Sequence, residues 1–218
     1  MEVLKLKKNN LVISVDGGAA TGTSTAGRLI SKKFGLKFLS SGLLYRYASY
    51  LLLKYHPKNK MIFLKKHFKN LKLIKLNNLN LHSPKISENT SIIAKERKIR
   101  EILKQFQRKF SKKYKKVCIE GRDIGTVILP KADIKFFFVC DLKTAAKRRF
   151  RELKKTNSNI KLKDVKKSIK MRDYRDKSRK NSPLLKSHDA IIVDTGKLKK
   201  IPDMINKMSD IIKKKYGY

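Results

Sequence analysis

Leu11-Val-Ile-Ser-Val-Asp-Gly-Gly-Ala-Ala-Thr-Gly-Thr-Ser-Thr25 decides how this chain folds. It begins as an apolar, β-branched run, the pattern of a strand buried on both faces of a parallel sheet. At Asp16 it breaks into a turn rich in glycine. Beyond the turn, Ala26, Leu29, Ile30 and Phe34 fall at helical spacing, and Gly35 stands where a helix C-cap belongs. Strand, glycine-bearing turn and helix together aim the loop N–H groups and the helix N-terminus at one spot, which attracts anions.

The spacing from Gly17 to Gly22 matches the frame G-x-x-x-x-G-K-[ST] except at the lysine, where this chain has Thr23. Ser24 and Thr25 follow and can offer hydroxyls to a phosphate or to a magnesium shell. Taken alone, the loop also reads as an ordinary strand-to-helix turn. The strand-loop-helix context favours phosphate.

Outward from this stretch, Lys37-Phe38-Leu39 reads as a short strand. Ser40-Ser41-Gly42 caps a helix carrying Leu43, Leu44, Tyr47, Tyr50 and Leu51, with Arg46 projecting early from it. From His56 to about Ser87 the pattern loosens. Leu71 to Leu76 and Leu79-Asn80-Leu81 read as short strands of an inserted unit, with Asn77-Asn78 as the turn. Pro84 opens the approach to a long helix with a core stripe of Ile99, Ile102, Leu103, Phe106 and Phe110. Val117-Cys118-Ile119 is a strand, followed by Glu120-Gly121-Arg122-Asp123. Ile134 to Cys140, apolar but for Lys135, is another. Helices follow over Thr144–Leu153 and Val165–Arg179, the last strand over Ala190–Val193 and a closing helix over Ile201–Ile212. Strands alternating with helices predict an α/β domain with a five-stranded parallel sheet, binding its ligand at the C-terminal strand edge. The polar clusters Asp16–Thr25, Ser40–Arg46 and Glu120–Asp123 each follow a strand and should meet in one crevice.

The chain has 218 residues, enough for one well-cored domain, and carries a net charge of +39. No apolar run is long enough to span a membrane. Met1 to Asn10 is basic but lacks a small-residue cleavage site, so no signal peptide is read, and a cytoplasmic location is expected. The two cysteines, Cys118 and Cys140, lie in apolar runs and read as buried free thiols. The positive excess is mostly lysine, dispersed rather than clustered and without interleaved aromatics. That suits compositional drift as well as it suits a polyanionic partner, and it argues against a nucleic-acid groove. With 17 acidic residues in all, and none from Gly17 to Ser87, an Asp among basic residues stands out: Asp123, Asp173 and Asp176.

Arg172, Asp176 and Arg179 fall at i, i+4 and i+7 of a helix and share a face. A solvated ladder of ion pairs is the plain reading. A phosphate loop, Arg46, Gly121-Arg122-Asp123 and Arg148-Arg149 accompany it, and arginine suits bidentate phosphate contacts. Many arginines and few acids suit phosphoryl transfer, whose catalysis is mostly positioning and electrostatic stabilisation. The four histidines lie outside these motifs.

Nearly end to end, the chain resembles the bacterial-type cytidylate kinase family. The resemblance rests on the loop from Asp16, on Ser41-Gly42-x-x-Tyr45-Arg46, on Gly121-Arg122-Asp123-Ile124-Gly125-Thr126-Val127 with Pro130 and Ala132, and on Arg172-Asp173-x-x-Asp176-x-x-Arg179. It implies a P-loop nucleoside monophosphate kinase fold. The core would be residues 9–55 and 99–218, with a small inserted NMP-binding region at about 56–98 and a short lid at about 154–162. It implies that ATP and CMP or dCMP give ADP and CDP or dCDP, with Mg²⁺ arriving on the ATP rather than held by a dedicated metal site. A monomer with small-molecule nucleotide partners is expected.

By the same resemblance, Gly17, Gly18, Ala19, Ala20, Thr21, Gly22, Thr23, Ser24 and Thr25 would bind ATP. Ser41, Arg46, Arg122 and Arg179 would hold the CMP phosphate, and Ser91, Arg100 and Asp123 would read the cytosine. Arg172 and Asp176 would hold the ribose, and Arg149 would close over the transferring group with Arg122 and Arg179. This chain departs from the family at three places: Thr23 for the loop lysine, Ala20 for a glycine, and Ser40 for an aspartate. Two other readings stay open. One is a nucleotide-binding relative with weakened catalysis. The other is a basic nucleic-acid-binding protein on the same fold.

Overall fold

The computed structural model describes residues 10–155, 159–198 and 200–216. The first strand, β1 (Leu11–Gly17), lies at the centre of a five-stranded, all-parallel sheet. Chain order continues with α1 (Thr23–Phe34), β2 (Lys37–Ser40), α2 (Ser41–Tyr55), α3 (Lys60–Lys69), α4 (Pro84–Ile93), α5 (Arg97–Lys113) and β3 (Lys116–Gly121). It ends with β4 (Ile134–Val139), α6 (Leu142–Lys154), α7 (Leu162–Ser178), β5 (Ile191–Asp194) and α8 (Ile201–Tyr216). The strand order is β2-β3-β1-β4-β5. This is the expected P-loop α/β architecture.

Both faces of the sheet are covered, which is why the strands read as continuous apolar runs. Leu11, Ile13 and Val15 of β1 join Phe136 and Phe138 of β4, Ala26, Ile30 and Phe34 of α1, and Met204, Met208 and Ile212 of α8 in one core. Val117 and Ile119 of β3 join Leu44, Leu51, Leu64, Ile99 and Leu103 of α2, α3 and α5 in the other. Gly35 ends α1 in the left-handed conformation, φ 65°, as its C-cap position requires.

Strand register places the site. Asp16 pairs with Gly121 across β1 and β3, and Ser40 pairs with Glu120 across β2 and β3. The three polar clusters that follow these strands therefore leave the sheet side by side, at its C-terminal edge.

The region between α2 and α5 is helical and corrects the expected short strands. Asn59 accepts from the Met61 and Ile62 amides and starts α3; Ser83 accepts from the Ile86 amide and starts α4, with Pro84 at its first turn. Leu73–Asn78 is a 3₁₀ turn. Leu73, Leu76 and Leu79 recur every three residues, the 3₁₀ period, and all three meet the α2–α5 core. Pro84 thus opens a helix of its own, ahead of the long one. Of the expected lid, residues 156–158 lie outside the described residues. Cys118 is a buried free thiol as expected, while Cys140 is only partly buried.

Phe136 is almost fully enclosed between β1, β5 and the α1–α8 layer. Phe136→Ala is expected to lower the unfolding free energy by about 4 kcal/mol, read from the urea midpoint. A loss below about 1 kcal/mol would place this ring outside the packed core.

Candidate functional site

The loop from Gly17 to Gly22 is held at several points. A Cβ on Gly17 would lie 2.8 Å from the Phe138 carbonyl oxygen, so only glycine passes there. The Thr21 hydroxyl donates to the Gly18 carbonyl (2.9 Å). The Thr195 hydroxyl, just past β5, donates to the Thr21 carbonyl (2.8 Å). Gly22 precedes α1 at φ 96°, and no side chain caps that helix. The first amides of α1 have no intrahelical acceptor, which makes this end a place for an anion.

Thr23, the first residue of α1, is buried. Its hydroxyl donates to Glu120 Oε2 (3.2 Å), and the Ser40 hydroxyl donates to Glu120 Oε1. Glu120 is 3% exposed. In the sequence it is only the head of the Glu120–Asp123 cluster, yet in the fold it ties the end of the Gly17–Gly22 loop to the N-cap of α2. An acid closing an apolar strand, in a chain with so few acids, was the available signal. Ser24 is exposed and Thr25 half-buried.

Next to the loop lies a cleft lined by Ser41, Tyr45, Ser91, Arg100, Arg122, Asp123, Arg172, Asp176 and Arg179. Eight of these nine are expected acceptor-site residues; Tyr45 is the addition, its ring 5.5 Å beneath the Arg100 guanidinium. Alternating charges run through the cleft. Arg122 Nε donates to Asp176 (3.0 Å). Arg179 lies 3.4 Å from Asp176 and 3.7 Å from Asp123, and Asp123 pairs with Arg100. Arg100 also donates to the Ala94 carbonyl (3.1 Å), and the Ser91 hydroxyl to the Ser87 carbonyl (3.4 Å). Arg179 is not on the expected helix face. α7 ends at Ser178, and Arg179 turns back with Nε donating to the Ser182 carbonyl (2.6 Å).

Arg172 is different: it donates no hydrogen bond among the described residues. Burial, and then the neighbouring Arg122, push its pKa down to about 10. Arg46 is buried outside the cleft lining, donating to the Leu81 carbonyl (3.0 Å) and the Ser87 hydroxyl (2.7 Å). Burial, then Arg172, Arg149 and Arg122, lower it to about 10 as well. Arg149 stands on α6, partly exposed and paired with Glu152 (2.9 Å). Arg46 and Arg172 are thus lowered by neighbouring guanidiniums on top of burial, whereas Arg122, despite burial, is held above its ordinary value by Asp176, Glu120 and Asp173; a convergence of guanidiniums of this kind suits a phosphate.

Two further acids hold the frame. Asp173 Oδ1 accepts from the Ala19 amide (2.7 Å). Asp16 accepts with both oxygens, from the amides of Ile124 (2.8 Å) and Gly125 (2.7 Å), and so fixes the π-helical turn Ile124–Ile128 that follows Arg122-Asp123. Neither role is visible from spacing, because both span more than a hundred residues. Chemically, the arrangement offers one anion position at a helix N-terminus and a second among arginines, beside a carboxylate–arginine pair that can read a polar ring edge.

A family model described as cytidylate kinase matches residues 13–214. The chain is 37% identical over 216 residues to a cytidylate kinase of Clostridium botulinum (strain Okra / Type B1), covering 94% of this chain and 99% of that protein. It is 36% identical over 217 residues to a cytidylate kinase of Fusobacterium nucleatum subsp. nucleatum, covering 94% and 99%. A crystal structure from Thermus thermophilus superposes with a TM-score of 0.54 at 13% identity, covering 97% of this chain and all of that one; it is a likeness of fold.

Burial raises the Asp16 carboxyl to about 7, against the pull of its two amide donors. In the unfolded chain it titrates near 4. The folded chain therefore holds this proton more tightly, and the stability it contributes is complete below about pH 4 and lost as the pH rises through about 7. Acidifying from about pH 7.5 to about pH 5 should raise the urea midpoint of the wild type relative to Asp16→Asn. A constant difference between the two proteins would contradict this.

Proposed function

The chain belongs to the cytidylate kinase family, and from that premise we propose that it transfers the γ-phosphoryl group of ATP to CMP or dCMP. The observation that carries this is the cleft lined by Ser41, Arg100, Arg122, Asp123, Arg172, Asp176 and Arg179, in which guanidiniums outnumber carboxylates and Arg100 pairs with Asp123. A phosphate oxygen of the nucleoside monophosphate attacks the γ-phosphorus, and the bond from that phosphorus to the β-bridging oxygen breaks to release ADP. The attacking oxygen is already anionic, so no general base is needed. The work is positioning and charge stabilisation.

In this reading the amides of the Gly17–Thr25 loop, apart from that of Ala19, which donates to Asp173, cradle the donor phosphates. Ser41, Arg122 and Arg179 grip the acceptor phosphate, and Arg46 adds its charge from behind. Asp123 accepts from the exocyclic amine of cytosine, which uracil lacks, while Arg100 and Ser91 complete the base pocket. Arg172 and Asp176 take the ribose. Arg149, at the α6 end next to residues 154–162, closes over the transferring group. Residues 56–98 form the NMP-binding insert, and the protein works as a monomer.

Magnesium prefers hard oxygen donors. Among the described residues no group of His, Cys, Asp and Glu forms a metal cage. The Ser24 and Thr25 hydroxyls, one exposed and one half-buried, are the groups that would hold an ion arriving on ATP. When bound, it neutralises charge on the donor phosphates. No helix among the described residues is long and apolar enough to cross a membrane.

One observation favours a second reading, a nucleotide-binding relative with weakened transfer: Thr23 commits its hydroxyl to Glu120 and brings no cation to the loop.

A coupled assay of ADP release with ATP, magnesium and CMP, with UMP and AMP in parallel, separates these readings. CMP should turn over well above UMP and AMP. Arg179→Ala should lower kcat/KM by about a hundredfold or more. Asp123→Ala should erase about a tenfold or greater preference for CMP over UMP. CMP binding without turnover would select the weakened relative.

A further inference from the structure

Ala20 sits in the middle of the phosphate loop at φ 58°, a conformation that L-residues with a Cβ disfavour. Glycine would adopt it freely. Something must therefore hold the loop in this shape; the Thr195 hydroxyl holds it at Thr21, and the apolar contacts of Ala19 and Ala20 come from the α6–α7 pair. Ala19 is buried against Ala146 of α6 and Val165 and Ile169 of α7, and Ala20 and Phe150 pack on the same cluster. One polar contact joins the two parts: Asp173 Oδ1, from the middle of α7, accepts from the Ala19 amide at 2.7 Å. The approach is close enough that a Cβ on Gly18 would lie 2.9 Å from Asp173 Oδ2.

A carboxylate beside a loop that receives polyphosphate repels the ligand. Burial also disfavours its charge, with the Ala19 amide opposing that effect. What this carboxylate supplies in return is the one hydrogen bond that joins α7 to the loop among the described residues. α7 also carries Arg172 and Asp176, and Arg179 lies directly beyond its end. The Asp173–Ala19 contact is thus the joint between the donor loop and the element bearing the acceptor-site charges.

We propose that Asp173 is a positioning residue that holds the phosphate loop through the Ala19 amide. It keeps Ala20 in its left-handed conformation and sets the loop in register with the arginines of α7. The inference rests on the donor-site reading above and adds to it a residue that never touches the nucleotide.

The test compares ADP binding by calorimetry with steady-state kinetics in the wild type, Asp173→Asn, Asp173→Ala, Ala20→Gly and the Asp173→Ala/Ala20→Gly pair. Asp173→Ala should weaken ADP about tenfold and raise KM for ATP by a similar factor, with KM for CMP shifting less than about threefold. Asp173→Asn keeps an acceptor oxygen in place and should stay within about threefold of the wild type. In the Ala20→Gly background the loss on Asp173→Ala should shrink to about threefold or less, since glycine does not need the strain held. If Asp173→Ala does not fold, Asp173→Ser, too short to reach the amide, is judged by the same criteria. Equal or tighter ADP binding by the Ala or Ser variant would overturn the proposal, as would the same loss with and without Ala20→Gly. ADP titration needs no turnover. A wild type that binds ADP but leaves CMP unphosphorylated would therefore sink the kinase reading and leave this comparison intact. Normal wild-type turnover with ADP affinity unmoved by Asp173→Ala would do the reverse.

Discussion

One buried carboxylate organises the site. Glu120 ends β3 almost wholly out of solvent and receives hydroxyls from Thr23 at the start of α1 and Ser40 at the start of α2. A buried charge needs partners, and Glu120 also lends negative charge to Arg46, Arg122 and Arg172. The Gly17–Gly22 loop, the start of α2 and the arginine cluster are thus referred to a single point. That is possible only because parallel register places the ends of β1, β2 and β3 next to one another.

Around that point the balance of charge is deliberately short of acid. Asp123 and Asp176 hold Arg100, Arg122 and Arg179 in position, while Arg172 and Arg46, in no ion pair among the described residues, have their pKa lowered by burial and by neighbouring guanidiniums. The unmatched charge favours an incoming phosphate, and the guanidiniums already held lose little freedom when it arrives. The lysine excess is a separate matter. Among the described residues Lys135 is the one buried lysine, and it is tied to the Pro130 carbonyl (2.6 Å) and to Asp189 (3.0 Å) rather than to the cleft. Arginine in the cleft and lysine on the surface separate function from composition: a planar fork can be oriented by carboxylates, whereas solvated ammonium groups are not.

The three departures from the family pattern meet in this geometry. Thr23 and Ser40 are the two hydroxyls on Glu120, so the substitutions for lysine and aspartate share one partner. Ala20 keeps a glycine-like backbone while its methyl joins the cluster under α6 and α7. Each looked like a separate loss in the linear chain, and in the fold each has a contact that accounts for it.

The sequence by itself determined the sheet, the glycine-bearing loop after β1, the helices outside the insert and most residues lining the cleft. Those features rest on local periodicity, caps and turn chemistry, which span only a few residues. It misjudged the insert, where a three-residue leucine period carried by segments of few residues resembled alternation. It also carried α7 one residue too far and so put Arg179 on the wrong support. What only the tertiary structure decided is who holds whom: Glu120 with Thr23 and Ser40, Asp16 with the turn after Asp123, and Asp173 with Ala19. Those contacts join groups from about 80 to 154 residues apart, and nothing in the local pattern of a chain encodes which distant amide a carboxylate will find once the sheet has closed.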